Sequence, residues 1–196
     1  ADHMKRRSFI LGSALVVATG CGQREFSPPR NLDDACALAA ERPHYHRAMR
    51  RTERRWGVPV HVQMATFHQE SRFDGDARPP FRYTLDVIPM GRLSSAFGYS
   101  QALDGTWDEY RASTGNRSAR RTDIDDAADF MGWYMVLTRE RNGIELDDAR
   151  NQYLAYHEGH AGFSRGSYNA KPWLLRVADR VATRAEVYRV QLLSCR

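Results

Sequence analysis

Proline and glycine interrupt this sequence at intervals that leave room for helices and for little else. Pro43, Gly57, Pro59, Gly143 and Pro172 cut much of the chain into segments of helix length. Proline suits a helix's first turn and glycine the residue after its last, so each breaker marks an end. Asn31 or Asp33 can cap a first helix through Ala40, which Pro43 breaks. A second runs from about His44 to Trp56 and stops at Gly57. Pro59 opens a third whose Val60, Val62, Met64, Ala65 and Phe67 are apolar, so it belongs in the interior; it ends in His68-Gln69-Glu70-Ser71. Thr122 with Asp125 is a capping-box variant ahead of a helix to about Arg141, with Phe130, Met131, Tyr134 and Leu137 on one face. Asp147 opens another through Tyr156, and Pro172 a last one to about Leu193. Residues 72–104 are different. Pro79, Pro80 and Pro89 break any helix, and the stretch 82–88 suits a short hairpin or an ordered loop. Helicity returns after Asp104 with Trp107 and Tyr110, where Trp107 reads as core before it reads as a sugar-stacking platform. With 196 residues, no internal repeat and no second domain, the expectation is one mainly α domain.

The first residues read as a leader. From Met4 the chain runs Lys5-Arg6-Arg7, then an apolar stretch over 9–18, then Thr19-Gly20-Cys21. A positive start, a short apolar run and small residues describe an export signal, and the run is well short of the roughly 20 residues a spanning helix needs. Ala18-Thr19-Gly20-Cys21 resembles the bacterial lipobox, with Ala18 where Leu is usual. That resemblance implies a lipid on Cys21, and Gly22 in place of Asp implies an anchor in the outer membrane facing the periplasm. Arg6-Arg7-Ser8-Phe9-Ile10 also resembles a twin-arginine signal, so export runs by that route or the general secretory one. The expected organisation is a signal over 4–20, a tether over 21–30 carrying Ser27-Pro28-Pro29, and a folded domain over 31–196.

Charge and cysteine usage fit that address. The net charge is +5, and setting aside Asp2, Lys5, Arg6 and Arg7 leaves +3 from Cys21 onward. So mild a surplus suits an anionic polymer such as the cell wall and is too weak to argue for nucleic acid. With Cys21 lipidated, Cys36 and Cys195 remain. An oxidising compartment favours a disulfide between them, tying the first helix to the last; two buried free thiols are the other reading.

Glu70 carries the chemistry. A carboxyl at the end of an apolar helix, facing a long irregular loop, can floor a cleft, where desolvation disfavours its charged form. A carboxylic acid with a raised pKa is what protonates a glycosidic leaving oxygen. Three short motifs surround it in order: Glu70-Ser71-Arg72-Phe73, Gly98-Tyr99-Ser100-Gln101 preceded by Ala96, and Ala155-Tyr156-His157-Glu158-Gly159. They resemble the Glu-Ser-x-Phe, Gly-x-x-Gln and Ala-Tyr-Asn-x-Gly motifs of the lytic transglycosylases of the soluble lytic type (the SLT domain), across about Trp56 to Leu193. The resemblance implies a single lysozyme-like domain of about six to eight helices, with a small irregular or hairpin segment near the cleft. It implies peptidoglycan as the substrate, no cofactor and no metal, and a monomer. Glu70 would protonate the oxygen between N-acetylmuramic acid and N-acetylglucosamine, then take the proton of the muramyl C6 hydroxyl as a 1,6-anhydro ring closes. Tyr156 would hydrogen-bond near Glu70. Ser71, Ser94, Ser95, Gly98, Tyr99, Gln101 and His157 would line the sugar cleft, the missing side chain of Gly98 admitting substrate. His157 stands where the family has Asn, and Tyr99-Ser100 where Leu-Met is common.

Three other readings follow from the same residues. A goose-type lysozyme keeps the fold but hydrolyses. Inversion then needs a base about 6.5–9.5 Å from the acid, and Asp86, Asp104, Asp74 and Asp76 are the candidates. A non-catalytic wall-binding lipoprotein keeps the fold without turnover. A metal enzyme would use His157-Glu158-Gly159-His160, with His44 and His46 elsewhere, but a zincin places its two histidines four apart on one helical face, and here they are three apart with Gly159 between.

Overall fold

The computed structural model describes residues 26–84 and 88–195; the expected signal and Cys21 lie outside them. The elements run α1 (Ala35–Glu41), α2 (Pro43–Trp56), α3 (Val60–Ser71), β1 (Phe81–Thr84), β2 (Ile88–Arg92), α4 (Asp104–Thr114), α5 (Ile124–Asn142), α6 (Ala149–Glu158), α7 (His160–Ser164) and α8 (Pro172–Leu192), with a 3-10 turn over Ser167–Ala170. The fold is mainly helical, and β1 and β2 pair antiparallel in its one small sheet among the described residues. None of the described helices is long and apolar enough to cross a membrane.

The breakers act as expected. Pro43 and Pro172 sit in the first turns of α2 and α8, and Gly57, Gly115 and Gly143 close α2, α4 and α5 in the left-handed conformation. The expected caps are each displaced by a residue or more. Asp34 caps α1 by accepting from the Cys36 and Ala37 amides, Asp123 rather than Thr122 accepts from Asp125, and Asp148 rather than Asp147 accepts from Asn151. Neighbouring short polar side chains compete for such a role, and the chain's approach angle selects among them.

The buried α3 is the axle of the domain. Val60, Val62, Met64, Ala65 and Phe67 lie in one core with residues of α1, α2, α5, α6 and α8. Two buried glutamines staple loops to it and to its neighbour. The Gln63 amide donates to the Met49 and Val58 carbonyls at 3.0 and 2.8 Å, and that of Gln152 to Met135, Ile144 and Glu145 at 3.3 Å. α2 and α5 pack so closely that a Cβ on Gly132 would lie 2.5 Å from the Trp56 ring. A second core gathers Trp107, Tyr110, Phe130, Trp133 and Tyr134, so Trp107 is a packing residue. Asp129 joins the two cores, accepting from Trp56 Nε1 and Tyr110 Oη at 2.8 Å and from Arg55 at 3.0 Å.

The ends are fastened together. Cys36 and Cys195 form a disulfide, which closes a span of 159 residues. Around it, Gln191 accepts from the Ala35 amide at 2.8 Å and donates to the Asp33 carbonyl at 3.0 Å, and Tyr188 donates to the Leu32 carbonyl. The described part of the expected tether also packs on the domain: Pro29 is buried and the Gly75 amide donates to the Phe26 carbonyl at 2.9 Å.

Candidate active site

Glu70 lies one residue from the end of α3, where the helix stops without glycine. Arg72 and Phe73 both adopt left-handed backbone, at φ 55° and 60°. Such conformations are costly for residues with a Cβ and persist where the surroundings hold them. The restraint here is Phe73, fully buried and stacked on Tyr45 at 5.8 Å and against Phe67 at 5.7 Å. Ser71 supplies a second tie, its hydroxyl donating to the Tyr99 carbonyl at 2.7 Å. The residues flanking Glu70 therefore work as joints. They turn the chain sharply just after the carboxyl and fasten the loop from Gly98 beneath it.

The second motif is the other half of that joint. Gly98 has φ 76°, and a Cβ there would lie 2.2 Å from the Arg121 carbonyl oxygen. The space its missing side chain leaves is filled by backbone from the approach to α5. Tyr99 is buried with its hydroxyl 2.8 Å from that of Tyr45, and Gln101, at φ 52°, donates to the Ala77 and Gly98 carbonyls at 2.9 and 2.8 Å. Arg72, Phe73 and Gln101 are the non-glycine left-handed residues among those described. All three fall in the first two motifs, so backbone strain concentrates around Glu70. Ser94 and Ser95 are exposed, accepting from the Ala96 and Asp104 amides at 3.3 and 3.1 Å, and Ser95 thereby caps α4.

The third motif brings phenols to the carboxyl. Glu70 keeps an accessible edge, but protein crowds its carboxyl. Burial pushes its pKa up to about 7, against a hydrogen bond from Tyr153 that lowers it. Tyr153, buried on α6, is the residue that sequence reasoning missed. It lies one helical turn before Tyr156, and that spacing was the available signal. Tyr156 is close enough for the Glu70 charge to raise its own pKa, after burial, while its hydroxyl donates to the Ser100 carbonyl at 2.7 Å. Both phenols stay neutral donors. Ser100 Oγ is buried with no partner among the described residues. Tyr153→Phe removes the hydrogen bond that favours the Glu70 carboxylate, so its pKa is expected to rise above about 7. An NMR titration of the Glu70 carboxyl carbon checks this, and a fall in that pKa would overturn the assignment.

His157 is exposed, 3.1 Å from a Glu158 oxygen and edge-on to the exposed ring of Trp173 at 5.4 Å. Glu158 itself is committed to Lys171 at 2.7 Å and to the Ser167 hydroxyl. Burial alone would raise its pKa, but the hydrogen bonds from Lys171, Ser167 and His157 outweigh that and hold it near 2. His160 stacks on Tyr134 at 4.3 Å and meets Thr138 at 3.0 Å, away from His157's partners. Among the candidate second carboxylates, Asp104 is paired with Arg121 at 2.6 Å and Asp74 accepts from the Asp76 amide at 2.9 Å. Asp86 lies outside the described residues.

The site is thus one protonatable carboxyl, set on a strained helix end, with two neutral phenols beside it. A family model described as "Transglycosylase SLT domain" matches residues 9–195. No curated protein matches the chain.

Proposed function

This chain belongs to the transglycosylase SLT domain family, whose members break down peptidoglycan, and we propose from that premise that it is a lytic transglycosylase with Glu70 as its one acid and base. The observation that carries the reading is the Glu70 carboxyl, crowded by protein and hydrogen-bonded by Tyr153, with a pKa of about 7. Near neutral pH it is substantially protonated, as a donor to the glycosidic oxygen between N-acetylmuramic acid and N-acetylglucosamine must be. After that transfer it is a carboxylate. It then takes the proton from the muramyl C6 hydroxyl as that oxygen bonds to C1, which closes the 1,6-anhydro ring and returns the acid. The proton given is the proton regained, and no water is consumed. Tyr153 orients the carboxyl and stabilises its charged form between the two steps. The joints at Ser71, Phe73, Gly98 and Gln101 fix the carboxyl's position, which matters because misplacement by about 1 Å is costly to catalysis.

The leader and Cys21 support an address on the periplasmic face of the outer membrane, with the domain held there by lipid. The disulfide between Cys36 and Cys195 suits that oxidising compartment.

Mass spectrometry of purified peptidoglycan digested by the full chain tests the reading. The expected products are anhydro-muropeptides. Reducing muropeptides, one water heavier, would instead make the protein a hydrolase with a second carboxylate. Retention of peptidoglycan without products would make it a wall-binding protein.

A further inference from the structure

The outer face of α8 is basic in its middle and apolar toward its end. Its inner face, with Leu174, Ala178, Val181, Ala185 and Tyr188, is buried. On the other side Arg176 and Arg180 are exposed one turn apart, and Val187 and Val190 are exposed beyond them. Leu193, 78% exposed, ends the helix. These three are half of the exposed large apolar side chains among the described residues, so they form a cluster rather than a scatter. A groove between α3 and α8 adds Arg72 to the same side, lined by His68 and Arg72 along one wall and by Arg180, Arg184 and Val187 along the other.

The charges here do not balance. The carboxylates around this face are each engaged, Asp33 with Arg184 at 2.8 Å, Asp179 with Arg150 at 2.6 Å and Glu186 with Arg189 at 2.7 Å. The guanidinium groups of Arg72, Arg176 and Arg180 have no ion-pair or hydrogen-bond partner among the described residues. Three unengaged cations therefore sit beside three exposed apolar side chains. The start of the fold lies at the same place. The Gly75 amide, three residues beyond Arg72, donates to the Phe26 carbonyl at 2.9 Å, so the chain enters the described fold at the Arg72 end of the groove. Cys21 is five residues before Phe26, a distance the chain spans in at most about 17 Å. A lipid on Cys21 would keep a bilayer surface within that reach of Arg72.

Resting on the lipoprotein reading, we propose that the outer face of α8, with Arg72 beside it, docks flat on a bilayer that carries anionic phospholipid. Headgroup phosphates are anions that a guanidinium fork takes in bidentate fashion. Val187, Val190 and Leu193 would enter the boundary between headgroups and acyl chains, as the apolar side of an interfacial helix does. Docking would also set the direction of the active site. His68 lines the groove, and Glu70, two residues on, leaves α3 on nearly the opposite side. The bilayer would hold one side of α3 while the carboxyl on the other faces the cell wall. A tether alone would leave that direction unset.

The test uses the full chain, whose leader and lipid are common to every variant, so differences between variants report this face. Binding is measured by sedimentation with vesicles of mixed phosphatidylglycerol and phosphatidylcholine, and with vesicles of phosphatidylcholine alone. Arg176→Gln with Arg180→Gln is expected to weaken binding to the anionic vesicles about thirtyfold, and the paired lysine substitutions should leave it near wild type. Val187→Ser with Val190→Ser should weaken it about tenfold. All these positions are exposed, and thermal melts check that each variant is folded. In parallel, arginines of the wild type are modified with phenylglyoxal and read by mass spectrometry. Anionic vesicles should protect Arg72, Arg176 and Arg180 and leave Arg139, exposed on α5, as reactive as before. Variants that bind like wild type, arginines equally reactive with and without vesicles, or protection by purified peptidoglycan but not by vesicles would overturn the proposal. The two readings fail separately. A Cys21 found without lipid in chain purified from bacterial membranes, while vesicle binding still depends on Arg176 and Arg180, defeats the lipoprotein reading and keeps the docking face. A lipidated Cys21 with all three arginines unprotected does the reverse.

Discussion

Glu70→Gln is expected to slow peptidoglycan cleavage about a thousandfold or more while making the protein more stable at neutral and alkaline pH. General acid–base catalysis is worth about 10²–10⁴ in rate, and here one residue serves in both proton transfers, which favours the upper part of that range. Glutamine keeps the shape and can still accept from Tyr153, but it has no proton to give. The stability gain comes from the same burial that tunes the acid. Unfolded, Glu70 ionises near 4.5; folded, near 7. Between those values the native state holds a proton that the unfolded state has lost. Wild-type stability therefore falls as pH rises through that window and levels off above it. Glutamine does not titrate and escapes the loss. The two proteins should be equally stable at pH 4, and the variant ahead by about 2 kcal/mol at pH 8, a figure reduced from the full shift because the carboxyl keeps an accessible edge. Urea melts at the two pH values read this directly. A variant less stable than wild type at pH 8, or one that still cleaves at wild-type rate, would remove Glu70 from its role. The wild-type rate should also decline above pH 7 as the acid form is lost, and Tyr153→Phe should carry that decline to higher pH.

The helices were legible because breakers and apolar periodicity are local signals. The run from Val60 to Phe67 announced a buried helix before any partner was known, and Gly57 and Gly143 end helices as expected. Caps were harder to read, since Asp33 and Asp34, or Thr122 and Asp123, offer nearly the same chemistry at adjacent positions, and tertiary approach selects one. The short α7 and the 3-10 turn after it escaped notice because Gly159, Gly162 and Gly166 hide any periodicity there.

The site was legible in its residues more than in their roles. The motifs pointed to Glu70, and the burial argument predicted the direction of its pKa. The resemblance implies that Ser71, Gly98, Tyr99 and Gln101 line the sugar cleft, and in the structure their polar groups and spaces meet backbone and side chains from elsewhere: the Tyr99 carbonyl, the Arg121 backbone, the Tyr45 hydroxyl and the Ala77 carbonyl. Those contacts join positions 23 to 54 residues apart, and no pattern within four residues encodes them. A short motif can persist because it builds a joint as readily as because it touches substrate. Tyr153 shows the converse: a residue outside every motif reaches the carboxyl because α6 lays one face along α3.

Cys36→Ser with Cys195→Ser is expected to lower the melting temperature by as much as about 10–20 °C. The cross-link closes 159 residues, nearly the whole described domain. A loop of that length removes about 5 kcal/mol of conformational entropy from the unfolded chain in the chain-entropy account, which is a ceiling. At this chain length each kcal/mol moves the midpoint by about 2–4 °C. The folded state would change much less. α1 is only seven residues, but Asp34 caps it, Gln191 holds Ala35 and Asp33, and Tyr188 and Arg184 hold Leu32 and Asp33. These contacts survive the substitution, and neither cysteine touches Glu70, Tyr153 or Tyr156. Activity well below the midpoint should therefore match wild type, and only thermal tolerance should fall. Melts of the oxidised protein, the same protein under reductant and the double serine variant separate the contributions. The latter two should agree and both fall below the first. If all three melt within 2 °C of one another, the ends are held by α1's hydrogen bonds alone and the disulfide contributes nothing to stability. If instead hydrogen exchange speeds up only in α1 and the last turn of α8 while the main transition stays put, the link guards against local fraying rather than global unfolding, and the entropy argument fails for this chain.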